Sequence, residues 1–523
     1  MYFCILLAVL SPHHCHRIMG VIARQSIKGA IANYIGIAIG FFTTFFVLTD
    51  CLSQEEIGLT RVMVDIAMLF SSLAQLGSNA SIIRFFPYFR TRSDDSHHGI
   101  FAWALLLPFV GMLLITFVFI IFRQPIQAVY AQRAPLLAHY FHLLVPLTFF
   151  ALYQTVFETC SSVLLRITVP KLVREVGVRL FNLAAYLLYG HGVISLDVFI
   201  WLFCGSYGLA MVLNFCYLLS LGHLSFHIDR TFLDRAKVNE ILRYTFFMTM
   251  TALAANIPLF NTLFLGAQKG LALTGVYTIA LYIANVVEVP YRSLGAISRP
   301  MVASAVKDSD WAEVSRLSRQ VSVHQFLVSI FLLLFIWINL DVLYAFIPRG
   351  DDYAGGMLVV LIMGMAKVLN SSLAVTTDIL SYSRHFSLLL PFMLLLTLAA
   401  LLGNSFFIPR WGINGSAAAT LTAYLVYYGC MLPFISSRLG VRIFSRNHLK
   451  VIMILVVLVL MHLFWTLLPS PQSLLWTLAL AVAQTSLLLA VALTLLYRAH
   501  ISADVNRLID RFLLRPLHLK KTL

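Results

Sequence analysis

The sequence predicts an all-α polytopic membrane bundle of about 14 transmembrane helices. They form two pseudo-symmetric six-helix lobes with two further helices at the C-terminal end. Three observations predict this. Of 523 residues, 60% are hydrophobic and 11% charged, whereas a soluble domain carries about 25% charged residues. Apolar stretches of about 20 residues, long enough to cross a bilayer, recur from Ile27 to Tyr497. Two of these stretches carry polar stripes at a shared offset of 217 residues.

The predicted spans are 27–49, 57–86, 99–122, 136–161, 171–192, 196–221, 238–265, 271–300, 320–344, 354–381, 386–408, 413–437, 449–468 and 473–498. The apolar runs are continuous rather than alternating, which points to helices and not to a barrel. Residues 1–18 read as an N-terminal extension, because Met19 opens a more natural amphipathic lead into the first span. His13, His14, Cys15 and His16 lack the pattern of a metal site. The lobes are expected at 19–237 and 238–447, the two additional helices at 448–498 and a basic tail at 499–523.

The net charge is +15, and its placement explains it. With the N-terminus inside, the inner loops carry Arg90, Arg92, Arg166, Lys171, Arg230, Arg235, Lys237, Lys307, Arg438, Arg442 and Lys450. The outer loops hold only Arg123, Arg133, Lys269, Arg349 and Arg410. This bias predicts both termini in the cytoplasm. No basic patch interleaved with aromatics stands on a soluble segment, so nucleic acid is not an expected partner. The seven cysteines are scattered, without CxxC spacing, and read as small apolar residues. No cofactor or metal is expected.

The first stripe, in 57–86, holds Arg61, Asp65, Ser72, Gln75 and Asn79 within about 80° of arc. The second, in 271–300, holds Asn285, Glu288, Arg292 and Arg299 within about 60°. Intramembrane charges are costly, so such stripes face a bundle interior or a water-filled cavity. Gly58-Leu59-Thr60 aligns with Gly275-Val276-Tyr277 at the offset of 217, and Arg84 and Arg166 align with Arg299 and Arg384 at closely similar offsets. An offset of six helices preserves orientation and predicts lobes related about the membrane normal. Breaks are expected at Asn256-Ile257-Pro258, Pro290 and Pro146, as fixed kinks or hinges. Residues 301–319 read as an amphipathic surface helix.

Several N-terminal segments resemble the polysaccharide-export flippases of the Wzx type. They are Ala23-Arg24-Gln25-Ser26, Gly40-Phe41-Phe42-Thr43-Thr44-Phe45 and Leu52-Ser53-Gln54-Glu55-Glu56-Ile57-Gly58-Leu59-Thr60-Arg61. The likeness continues through Ala74-Gln75-Leu76-Gly77, Ile82-Ile83-Arg84-Phe85-Phe86-Pro87 and His97-His98-Gly99. These flippases share the MOP superfamily with multidrug MATE exporters and the lipid II flippase MurJ. The resemblance implies a bacterial inner-membrane transporter of undecaprenyl-diphosphate-linked oligosaccharide, serving O-antigen or another surface polysaccharide. H+ or Na+ coupling is also expected, with polymerase or export proteins as further expected partners.

A diphosphate head needs cations in a water-accessible cavity. The candidates are Arg61, Arg84, Arg179, Arg292, Arg299 and Lys367. Arg84, Arg299 and Arg61 lie near span ends, where snorkelling to headgroups is the competing role. Asp65 with Arg61, Glu288 with Arg292 and Glu175 with Arg179 stand four residues apart, as intrahelical ion pairs or as ion-coupling acids. Glu158 and Asp378 lack a cation at three or four residues and read as unpaired, which favours them for coupling, beside Asp65 and Glu288. Gln75, Asn79, Asn256, Asn261, Asn285 and Asn370 are expected to line the cavity or to bridge helices. The competing functions are an ion-coupled exporter of small molecules on the same fold and a polytopic glycosyltransferase or polymerase.

Overall fold

A computed structural model describes residues 34–89, 99–164, 166–222, 235–254, 257–467 and 474–501, together with Ala32, Asn506 and Asp510. The extension 1–18 and nearly all of the basic tail lie outside the described residues, as does Asn256. Among the described residues every regular element is a helix, and eleven stretches are long and apolar enough to cross a membrane. The molecule is a multi-pass integral membrane protein. Contacts divide it into two compact units, Met1–Gly275 and Val276–Leu523.

The first unit opens with α1 (Tyr34–Cys51), wound as a π-helix over Thr43–Leu48. Helix α2 (Gln54–Ala74) starts at a capping box. Ser53 Oγ accepts from the Glu56 amide, and the Glu56 carboxylate accepts from the Ser53 amide at 2.8 Å. Two otherwise orphaned donors are thereby satisfied. There follow α3 (Ser78–Phe89), α4 (Ile100–Ile121), α5 (Arg123–Ala131) and α6 (Pro135–Val163). Helix α7 has three pieces, Thr168–Leu172, a π turn at Val173–Gly177 and Val178–Gly190. Then come α8 (Leu196–Ser220), α9 (Arg235–Ala254) and α10 (Ile257–Lys269). Leu152, Val156 and Cys160 of α6 share a core with Phe101 of α4, Phe86 of α3 and Leu218 of α8. Helix α10 packs on α2, and α9 on α2 and α3.

The division between units falls inside α11 (Leu271–Asn285). The second unit continues through a 3-10 turn at Val286–Glu288 into α12 (Val289–Lys307), α13 (Trp311–Ile338), α14 (Leu340–Phe346) and α15 (Met357–Tyr382). Helix α16 (Leu389–Leu439) bends at Gly412, whose φ of 56° and ψ of −128° are non-helical, so it holds two predicted spans. Helices α17 (Arg446–Thr466) and α18 (Leu474–Ala499) close the chain and share a core with α13 through Val451, Leu458, Leu488 and Leu327.

Several expected spans are not continuous. The stretch 57–86 breaks where Leu76 and Gly77 take positive φ of 46° and 68°. Only the glycine does so without steric cost. Asn79 therefore starts a different helix from the rest of its stripe. The stretch 271–300 is interrupted by the 3-10 turn, and 171–192 by the π turn. Pro290 and Pro146 each sit in the first turn of an α-segment that follows a 3-10 turn. A missing amide costs nothing there, because first-turn amides have no intrahelical partner. The expected surface helix at 301–319 is not separate. The chain turns at Ser309, with φ of 58°, and Asp310 caps α13 by accepting from the Glu313 amide at 2.9 Å.

Candidate functional site: charged pairs inside each unit

In the first unit Asp65 is 2% exposed. Its Oδ2 accepts from Arg61 Nε at 2.8 Å and from the Thr262 hydroxyl of α10 at 2.6 Å. The Arg61–Asp65 pair spans one turn of α2, and the fully buried Thr262 adds a neutral donor from another helix. Just before the break in this stripe, Gln75 donates to Thr155 of α6 at 3.0 Å, tying two helices together. Asn79 keeps a buried oxygen without a partner. Asn261, beside Thr262, is fully buried.

A second cluster gathers on α6 and α7. Arg174 reaches Glu158 at 2.8 Å and Glu175 at 3.0 Å, and Arg179 closes on Glu175 at 3.0 Å. Glu158 is therefore not unpaired, as its sequence neighbours implied. Its partner comes from the π turn of the next helix, out of reach of any rule based on helical spacing. Arg179 also donates to the Gly36 carbonyl. Gly36 and Gly40 permit this approach, since a Cβ at either would overlap Glu175 or Arg179. Arg84 is half exposed, 3.7 Å from Glu240, with its guanidinium 4.3 Å from the centre of the Tyr244 ring.

The second unit holds a ladder of two pairs. Lys367 of α15 meets Glu288 at 2.9 Å, and both side chains are nearly buried. Asn370 donates to the other Glu288 oxygen at 3.0 Å, and the Tyr428 hydroxyl donates to Asn370 Oδ1 at 2.9 Å. Further along, Arg299 of α12 stands 3.4 Å from Asp378 of α15 and donates to the Tyr291 hydroxyl at 2.7 Å. Asp378, like Glu158, thus has a cation that adjacent sequence does not reveal. Glu288 and Arg299 are 11 residues apart, as are Lys367 and Asp378. Eleven residues make about three turns, or about 16 Å. Two helices running the same way can therefore pair at both rungs, acid to cation and then cation to acid.

The side chain of Arg292 lies outside the described residues, and Asn285 closes α11 just before the 3-10 turn. The other candidate cations, Arg61, Arg84, Arg179, Arg299 and Lys367, each face an acid. These pairs are balanced rather than net basic. Sequence reasoning missed Arg174, Thr262, Tyr291 and Tyr428. Each of the four comes from another helix or from beyond one helical turn, where spacing along a single helix gives no signal.

Buried charge pairs in two compact units of membrane-spanning helices define a polytopic helical membrane protein. Residues 22–306 match the polysaccharide biosynthesis protein family, and the chain belongs to this Wzx-like family. No curated protein matches the sequence significantly. In fold the chain resembles the lipid II flippase MurJ in an inward closed conformation. The TM-score is 0.69 at 11% identity, over 91% of this chain and 100% of that one. An inward-facing multidrug resistance MATE family transporter gives a TM-score of 0.55 at 13% identity, over 78% of this chain and 98% of that one. A MOP superfamily transporter from Pyrococcus furiosus, described as having a binding pocket of reversed polarity, gives 0.54 at 15%, over 81% and 96%. At these identities the likeness is one of fold.

Proposed function

We propose that this protein is a flippase. It moves undecaprenyl-diphosphate-linked oligosaccharide from the inner to the outer leaflet of a bacterial cytoplasmic membrane by alternating access of two lobes, with both termini in the cytoplasm. Family membership and a fold like that of a lipid II flippase support a lipid-linked cargo. The observation that carries the reading is the Arg299–Asp378 rung. The Arg299 side chain is 44% exposed against 10% for Lys367, and its contact with the acid is the longer one. An accessible guanidinium binds a diphosphate through its bidentate fork. When the diphosphate takes Arg299, Asp378 is released to hold the coupling H+ or Na+, which links cargo to ion. Glu288 and Lys367 hold the helices together at the other rung.

The test is leaflet exchange of a fluorescent lipid-linked oligosaccharide in vesicles containing the purified protein. Arg299→Ala should slow exchange by about tenfold or more, the worth of a charge-assisted hydrogen bond, with Arg299→Lys between. Absence of exchange with the cognate cargo overturns the proposal. One observation favours a second reading, ion-coupled export of small molecules: the described candidate cations each face an acid, so these pairs do not fix the sign of the cargo. Drug efflux from the same vesicles, without lipid exchange, would select it.

A further inference from the structure

Helix α12 has a second working face. Leu294, Met301 and Val302 form one wall of a cleft, and Leu317 and Val321 of α13 form the other. At about 100° per residue this face lies roughly a third of a turn from Arg299, so the cleft and the charge ladder are separate features of one helix. Leu294 and Met301 are themselves exposed. The mouth therefore opens on an apolar surface of two helices, which suits an occupant with an apolar body.

The polar lining consists of Ser298, Gln320, His324 and Gln325. Gln325 decides the chemistry. It is 1% exposed, and neither its Nε2 nor its Oε1 has a hydrogen-bond partner. A buried amide with both halves unpaired is uncommon in folded proteins and costly, so the site calls for a partner. No Lys, Arg, Asp or Glu is among the described lining residues, which disfavours a charged headgroup. A hydroxyl both donates and accepts. It can therefore satisfy Oε1 and Nε2 together, whereas an ester carbonyl pairs only with Nε2.

We infer that the α12–α13 cleft binds an uncharged lipid with a free hydroxyl, of the diacylglycerol type, the hydroxyl resting on Gln325 and an acyl chain lying between the apolar walls. Gln325 is 14 residues into α13, about 21 Å from its start, a depth within the reach of a bilayer lipid. This inference does not depend on the proposed cargo.

The experiment uses the full chain in phosphatidylcholine nanodiscs with a diazirine-bearing diacylglycerol, illuminated and mapped by peptide mass spectrometry. Label should concentrate in 294–302 and 317–325. Unlabelled diacylglycerol should compete, and phosphatidic acid should not. Gln325→Leu should weaken labelling by about tenfold, as expected when a hydrogen-bonding pair is removed. Val302→Trp, which fills the cleft and leaves the amide in place, should abolish labelling and covers the case in which the first variant does not fold. Evenly spread label, labelling unchanged in Val302→Trp, or equal competition by phosphatidic acid overturns the inference. So does a Gln325→Leu variant that melts higher with its labelling intact, since water alone would then occupy the site.

Discussion

Gly58 and Gly275 meet at the starts of α2 and α11, each leaving room for the backbone of the other helix. A Cβ on Gly58 would overlap the Leu271 carbonyl and crowd the Gly275 amide, and a Cβ on Gly275 would overlap the Gln54 carbonyl. These are the two glycines that the 217-residue offset aligns, and α2 and α11 themselves begin at that offset, at Gln54 and Leu271. The offset thus coincides with a close packing of two helix starts.

Gly58→Ala and Gly275→Ala should each destabilise the protein by about 1–3 kcal/mol, the usual cost of overpacking. Gly205 of α8 is the control, since a Cβ there meets nothing within 4 Å. Gly205→Ala should be stabilising by about 0.5–1 kcal/mol through helix propensity. Thermal unfolding in detergent separates the two classes. Equal shifts at Gly58, Gly275 and Gly205 would remove the close approach from consideration.

The Glu288–Lys367 rung makes a sharper prediction, because both side chains are shielded from solvent. Lys367→Met leaves a buried carboxylate with Asn370 as its remaining donor among the described residues, and Glu288→Gln leaves a buried ammonium. Each should cost about 3–5 kcal/mol. The double variant carries no stranded charge and should recover most of the loss. A double-mutant cycle read by chemical unfolding checks this, and additive losses would mean that the two groups do not interact.

The more exposed partner rung should behave differently. Arg299 and Asp378 are more exposed and farther apart, so solvent screening limits the stability of their pair to about 1 kcal/mol or less. Arg299→Ala should therefore melt close to the native protein while transport falls. A large loss of melting temperature in this variant would assign Arg299 a mainly structural role.

These two rungs show how far the sequence could be read. The membrane class and most of the helical stretches follow from composition and periodicity, because hydrocarbon length and backbone satisfaction leave few alternatives. Helix interruptions were partly visible, at Pro290 and Pro146, but the Leu76–Gly77 break and the π turn at Val173–Gly177 depend on packing. Intrahelical pairs such as Arg61 with Asp65 could be proposed from spacing alone. Cross-helix partners could not, since Glu158 finds Arg174 and Asp378 finds Arg299 only after the helices assemble. Thr262, a neutral hydroxyl with no charge pattern around it, gave no signal at all.

Arg174 offers the last contrast. One guanidinium holds both Glu158 and Glu175, while Arg179 shares Glu175. Removing either end of a chain of charges is not equivalent to removing its centre. Arg174→Ala removes the hydrogen-bonded cation of Glu158, leaving it the charge of Lys171, and leaves Glu175 dependent on Arg179. Glu158→Gln leaves Arg174 still bound to Glu175. Because the Arg174 side chain is 42% exposed, the costs are screened, at about 1–2 kcal/mol for Arg174→Ala and under about 1 kcal/mol for Glu158→Gln. Arg174→Lys should fall between, since an ammonium lacks the fork that reaches two carboxylates at once. Combining Arg174→Ala with Glu158→Gln should restore part of the stability by removing the Glu158 charge. If Glu158→Gln instead proves the more damaging change, Glu158 has a second partner that matters more than Arg174.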